Sequence, residues 1–352
     1  MSFQRLVYPF TAIVGQSELK LALLFNAVNP RIGGLLIRGQ KGTGKSTSVR
    51  ALAEILPDIT VVKGCPFNCS PSDPTNMCPD CLEKYMAGDP LQIEKRRMKI
   101  VSLPIGATED RVVGSLDIEK AISQGIRALQ PGLLAEVNQN ILYIDEVNLL
   151  PDHITDMILD AAASGWNVVE REGISVSHPS RFILIGTMNP EEGELRPQLA
   201  DRFALHISVG GIYDEELRVE IVKRNLSFGE DPLGFSKLWR REQEELRSSI
   251  LRARELLNLV EIPDWIVRAV ASSCIELHVD GLRPDIAAIR AAKTLAALEG
   301  REVVTVEDIL KVANMAVGFR TRGGGFEEPA TGEQIRLAFT EALGRAEPEI
   351  ER

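Results

Sequence analysis

No apolar run in this 352-residue chain reaches the ~18 residues that a membrane-spanning helix needs, so no membrane span is expected. Behind Met1-Ser2-Phe3-Gln4-Arg5 there is no apolar stretch of the kind a secretory signal carries. A cytoplasmic location is the expectation, and five cysteines there are not a disulfide framework. Basic residues are too few to coat nucleic acid: 40 Lys and Arg stand against 50 Asp and Glu, a formal charge of −10. No recognisable DNA-binding motif, internal repeat or low-complexity segment offsets that reading. The four histidines (His153, His178, His206, His278) lack the spacing of metal ligands and read as structural.

What is present fits two domains. Residues 1–210 alternate apolar strands with helical stretches, the pattern of a parallel α/β sheet, with the clearest strands at 34–38, 140–145, 182–187 and 205–209. Two further segments, 59–63 and 99–103, flank most of the cysteines and are expected to pair as the arms of an insertion. After Gly210-Gly211 helical periodicity takes over, at 215–226, 242–258, 286–299 and 306–316, with one short strand signal at 302–304. This predicts a helical second domain over 211–320, with a loop at 231–234. Arg322-Gly323-Gly324-Gly325 opens an expected flexible tail over 321–352, in which 333–344 could form one short helix.

The most informative segment is Gly39-Gln40-Lys41-Gly42-Thr43-Gly44-Lys45-Ser46, a G-x-x-x-x-G-K-S phosphate loop between an apolar strand and a helical stretch that Pro57 ends. Its glycines let the backbone curl so that successive N–H groups face phosphate oxygens, and the helix N-terminus adds positive potential there. Gly39, Gly42, Thr43 and Gly44 would cradle the phosphates of ATP, Lys45 would reach the β- and γ-phosphates, and Ser46 would hold Mg²⁺. In Ile141-Leu142-Tyr143-Ile144-Asp145-Glu146 a buried strand ends in two carboxylates, at the strand end where open α/β sheets bind ligands. Asp145 is expected at Mg²⁺ and Glu146 as the general base for the attacking water.

Three further positions complete the pattern. The strand 182–187 leads to Asn189, which would orient the lytic water; the plain alternative is an Asn that opens a loop before Pro190. Arg202 follows a short helical turn and precedes the last strand, suited to act as an arginine finger on a neighbouring subunit's nucleotide, with Arg196 a weaker candidate. A surface or Asp-paired arginine is the alternative. In Gly281-Leu282-Arg283-Pro284-Asp285, Pro284 suits the first turn of a helix, and Arg283 would point from there at the nucleotide or else be a solvated capping residue.

In this order, the phosphate loop, Asp145-Glu146, Asn189, Arg202 and Arg283 resemble the AAA+ ATPases. Longer segments narrow the resemblance to the magnesium chelatase ATPase ("I") subunits: Tyr8-Pro9-Phe10-Thr11-Ala12-Ile13-Val14-Gly15-Gln16, the run LPIGATEDRVVGSLD over 103–117, Gln130-Pro131-Gly132-Leu133-Leu134-Ala135, and GWNVVEREG over 165–173. The resemblance spans residues 8–320. It implies an AAA+ P-loop parallel sheet with helices on both faces, followed by a smaller all-α lid. It also implies a homo-oligomeric ring, typically a hexamer, whose ATP hydrolysis drives insertion of Mg²⁺, or a related divalent metal such as cobalt, into a tetrapyrrole. The implied partners are a larger chelatase subunit with a metal-dependent adhesion domain and a porphyrin-binding subunit, and 104–130 and 165–181 would be hairpin insertions that touch them. Lys45, Ser46, Asp145, Glu146, Asn189 and Arg283 would act from one subunit and Arg202 from the next. A chaperone-like AAA+ ATPase that remodels a metalloprotein shares every one of these residues and is the alternative; a nucleic-acid motor has the charge against it.

Cys65, Cys69, Cys78 and Cys81 are spaced C-x₃-C-x₈-C-x₂-C among turn-forming Pro and Asn residues. Four thiolates suit tetrahedral Zn²⁺ or an iron–sulfur cluster, with free or redox-paired thiols as the alternative. The loop departs from the chelatase pattern and leaves a magnesium, cobalt or nickel pathway open. Cys274 lies in a helical apolar stretch and reads as core.

Overall fold

A computed structural model describes residues 6–116, 129–171, 174–193, 195–321 and 329–347. Residues 117–128 of the anticipated 104–130 hairpin, Glu172-Gly173 of the second one, and Arg322-Gly323-Gly324-Gly325 lie outside the described residues. Among those described, the strands are β1 (Leu35–Gly39), β2 (Ile59–Val62), β3 (Ile93–Arg96), β4 (Ile100–Leu103), β5 (Gly114–Leu116), β6 (Leu129–Pro131), β7 (Ile141–Ile144), β8 (Trp166–Arg171), β9 (Ile174–Pro179), β10 (Ile183–Met188) and β11 (Leu205–Val209). The chain divides into two compact units, 1–55 with 203–352, and 56–202.

In the first unit β1 runs parallel to β11, in register from Leu35↔Leu205 to Gly39↔Val209. Leu35, Leu36 and Ile37 are all buried, the continuous apolar run of a strand covered on both faces. Helix Ser17–Val28 buries Leu19, Ala22, Leu23 and Phe25. Beyond β11 the unit is helical. Arg283–Leu298 carries a face of Ala287, Ala288, Ala291 and Ala292, small enough for close packing against Val306–Val317. Cys274 is buried in helix Asp264–Glu276.

Two expectations for this unit are corrected. Residues 231–234 are not a loop: Asp231 Oδ1 accepts from the Gly234 N–H at 2.9 Å and caps helix Pro232–Leu238, whose first position is the proline. Asp followed by Pro is a helix start as well as a turn, and here the helix wins. The C-terminal segment is not a flexible tail throughout. A capping box between Thr331 and Gln334 starts helix Gly332–Ala346, which buries Ile335, Ala338, Phe339, Ala342 and Leu343 against Asp264–Glu276 and Val306–Val317. The strand signal at 302–304 survives as a single bridge, Glu261 to Val303.

In the second unit β4, β7 and β10 form parallel pairs with β7 central, Ile141 lying opposite both Ile100 and Ile183. Every residue of β7 and β10 is buried. Segments 59–63 and 99–103 do not pair as an insertion's arms. β2 pairs antiparallel with β3, whose Ile-Glu-Lys-Arg sequence is half exposed and carries little apolar signal, while β4 joins the parallel strands through β7. Two antiparallel hairpins, β5–β6 and β8–β9, occupy the described parts of 104–130 and 165–181. Among the described residues no helix is long and apolar enough to cross a membrane.

Candidate functional site

The phosphate loop connects β1 to helix Lys45–Ala53. Gly42 and Gly44 have φ of +82° and +78°, a left-handed conformation that side chains disfavour, and Gly44 is the helix N-cap. Gly39 is glycine for another reason: a Cβ there would collide with the Val209 carbonyl of β11. Lys45, at the first helical position, donates from Nζ to the carbonyls of Gly39 and, at 2.7 Å, Gln40, so its ammonium spans the mouth of the loop. Gln16 braces the loop from outside it, donating to the Thr43 carbonyl and accepting from Ser48 Oγ at 3.3 Å.

The same unit contains a cavity of about 620 Å³ that runs from Gln40–Gly44 to an apolar end formed by Tyr8, Val14, Ile212, Tyr213 and Val222. Its size lies within the range of small-molecule sites, and one end supplies phosphate-binding N–H groups while the other supplies rings and aliphatic chains for a base. Residues 210–213, read from sequence only as a boundary, therefore line the site; Gly210-Gly211 next to an apolar Ile-Tyr pair was the available signal. Arg283 sits at the first position of helix Arg283–Leu298 and is exposed, with Pro284 beside it in the first turn.

In the second unit Asp145 and Glu146 follow β7 directly. Asp145 Oδ1 accepts from Tyr143 Oη at 2.9 Å and from Thr187 Oγ1 at 2.6 Å. Thr187 in turn accepts from the Glu146 N–H at 3.3 Å, so one hydroxyl on the neighbouring strand fixes both acidic residues. An oriented all-oxygen group at the end of a buried strand suits a hard cation such as Mg²⁺. Glu146 has φ +54°, a left-handed backbone for a non-glycine residue, which turns its side chain away from the strand's direction. Sequence reasoning passed over Thr187 and Tyr143, although a hydroxyl at the polar tip of each buried strand marked them.

Asn189 is buried and caps the turn Pro190–Glu192, accepting from the Glu191 N–H at 3.3 Å. It thus fills the loop-opening role while sitting one residue beyond β10. Arg202 lies 3.9 Å from Asp160, a long contact for an ion pair, with its side chain 36% exposed. Arg196 is ion-paired with Asp152.

The four clustered cysteines converge, with all Sγ atoms within 4.8 Å of one another, and all lie on the second unit. Cys65 Sγ is 3.5 Å from Cys69 Sγ and 4.0 Å from Cys78 Sγ, and the Cys78 N–H donates to Cys69 Sγ at 3.0 Å. No disulfide joins them.

Matches to known families follow the same layout. Residues 90–203, which include β7, Asn189 and Arg202, match the AAA domain (dynein-related subfamily), and 267–336 match the AAA lid domain. The protein is an AAA+ ATPase with an α/β nucleotide-binding part and a helical lid. It is 57% identical over 329 residues to a magnesium-chelatase subunit ChlI homolog of Methanocaldococcus jannaschii, covering 94% of this chain and 89% of the relative. With the magnesium-chelatase subunit ChlI of Synechocystis it shares 52% identity, covering 97% and 96%. A solved structure of the complex between subunits BchI and BchD of magnesium chelatase is 45% identical with a TM-score of 0.53, over 95% of this chain and 100% of that one. The chain belongs to the magnesium-chelatase ChlI subunit family.

Proposed function

We propose that this chain is the ATPase motor of a metal chelatase, coupling ATP hydrolysis to insertion of Mg²⁺ or a related divalent metal into a tetrapyrrole. The ATPase half is supported by the anchoring of Asp145 and Glu146 through Thr187 in one unit and, in the other, by a phosphate loop that opens into a nucleoside-sized cavity. The chelatase half is supported by high identity to chelatase subunits along nearly the whole chain. Ser46 and Asp145 would hold Mg²⁺, which would supply charge neutralisation at the phosphates. Lys45 and the loop N–H groups orient the phosphates, Glu146 accepts the proton of the attacking water, and Asn189 and Arg283 position the water and the γ-phosphate. Arg202 acts on the nucleotide of the next subunit in a homo-oligomeric ring, a hexamer in this reading. The partners are a larger subunit of the BchD type, with a metal-dependent adhesion domain, and a porphyrin-binding subunit. The cysteine loop is a metal-binding departure from the family pattern, with zinc and an iron–sulfur cluster as the two contents its ligands suit.

Arg202→Ala tests the shared site. ATP binding should persist while turnover falls by a factor of ~10³–10⁵; near-normal turnover would remove the finger. Mixing the protein with a candidate large subunit, a porphyrin-binding subunit, Mg·ATP and a porphyrin tests the chelatase half. ATP-dependent metal insertion is expected, and hydrolysis with no insertion for Mg²⁺, Co²⁺ or Ni²⁺ would defeat it.

A further inference from the structure

We propose that Cys65, Cys69, Cys78 and Cys81 hold one zinc ion, and that this ion is the staple which fastens the 59–98 excursion to the strands bearing Asp145 and Asn189. The inference rests on reading the four cysteines as a metal site and goes on to say which metal, how many ions and for what purpose.

Distances choose a single ion over a cluster. Four sulfurs at ~2.3 Å from one tetrahedral ion stand about 3.8 Å apart. The Sγ pairs at 3.5 and 4.0 Å straddle that edge, and no pair exceeds 4.8 Å. In an iron–sulfur cluster the cysteines divide among different irons, so the iron–iron spacing adds to the separation of their sulfurs. Four sulfurs gathered this tightly leave room for one centre. The backbone is shaped for it as well. Gly64 and Asn68 take φ of +78° and +47°, curling the chain so that Cys65 and Cys69 face the same point. Cys78 is the N-cap of helix Pro79–Met86 and Cys81 lies in its first turn, so one helix start carries both ligands of the second pair.

The regular elements of the excursion give it little support of their own. Of the eight residues in helix Pro79–Met86 only Cys81 is buried, while Tyr85 and Met86 are exposed. Isolated helices below ~12–15 residues are marginal in water, and so is a lone two-stranded sheet such as β2–β3. What the metal would fix is a loop already stitched to the entry of the catalytic strands. Asn138 donates to the carbonyls of Phe67 and Asn68 at 2.8 and 3.2 Å, and Gln139 to that of Asn68 at 2.7 Å. These residues come immediately before β7. Arg181, just ahead of β10, pairs with Asp73 at 3.0 Å, and the Phe67 ring stacks on His178 at 4.7 Å.

The test uses the full chain purified without oxygen or affinity tag. Metal analysis should find about one zinc per chain in a colourless protein, and Co²⁺ replacement should give the intense ligand-field bands of a tetrahedral all-thiolate site. Cys78→Ser/Cys81→Ser should lose the zinc, and amide exchange across 59–98 should speed up on the order of tenfold or more, with 35–55 unchanged. Should that variant fail to fold, stripping zinc from the wild type with a mercurial and a chelator gives the same comparison. Iron and sulfide with broad visible absorption would defeat the single zinc ion yet keep a metal site. No metal, with all four thiols open to thiol reagents, would defeat both. Zinc retained by the variant would remove these ligands, and zinc lost without faster exchange would remove the staple.

Discussion

Thr187 shows how much a single hydroxyl can organise. It receives the Glu146 N–H and gives its own proton to Asp145, so the Asp145 carboxylate and the Glu146 backbone share one anchor. Thr187→Val keeps the side-chain shape and removes both bonds. One lost hydrogen bond of about 1.4 kcal/mol corresponds to roughly tenfold in rate. The expected outcome is kcat reduced by about that factor with KM for ATP little changed, read from steady-state ATPase kinetics; a change confined to KM would place Thr187 in ground-state binding instead. Glu146→Gln should bind ATP and retain it unhydrolysed, detectable as nucleotide that co-purifies or stays on the protein through gel filtration. Its left-handed backbone sets the direction of the carboxylate, and no composition or spacing signal reveals that.

At the scale of elements, the lid owes one of its junctions to a buried carboxylate. Asp308 accepts from Arg301 at 2.8 and 2.6 Å and from the Thr305 N–H at 2.8 Å, closing the capping box of helix Val306–Val317. Burial pushes its carboxyl up, but the bonds from Arg301 and Thr305 outweigh burial and hold it below its ordinary value of 3.8. A depressed carboxyl stabilises the fold above the unfolded value and loses that contribution as pH falls through the folded one. Asp308→Asn should therefore lower the melting temperature at neutral pH, by a loss of ~1–3 kcal/mol, and the gap from wild type should close below pH ~4. Phe339→Ala should cost ~3–5 kcal/mol in thermal or denaturant melts, because its ring is fully buried under the C-terminal helix. That helix also shows where sequence reading stops. Its periodicity at 333–344 was visible, but whether a late helix docks depends on an apolar face of Asp264–Glu276 far back in the chain. The phosphate loop, the Asp145-Glu146 strand and the cysteine spacing were legible because each is local. The β2–β3 pairing was not, since a strand of Ile-Glu-Lys-Arg has its meaning only from its partner.

For the whole molecule, the proposed finger from a neighbouring subunit would make catalysis a property of the assembly. Turnover per chain should rise with protein concentration until the ring is complete, and Arg202→Ala should flatten that dependence; a rate per chain constant from dilute to concentrated solution would argue for a self-sufficient monomer. The β1–β11 pairing has a consequence of its own for how the chain is made. Leu35 cannot find Leu205 until all of 56–202 has left the ribosome, whereas that intervening stretch is continuous and its cysteine loop closes within seventeen residues, Cys65 to Cys81. Synthesis thus runs ahead of the phosphate loop's own framework: the acidic strands can settle first, and the strand pair that carries the phosphate loop is completed only later, when β11 emerges.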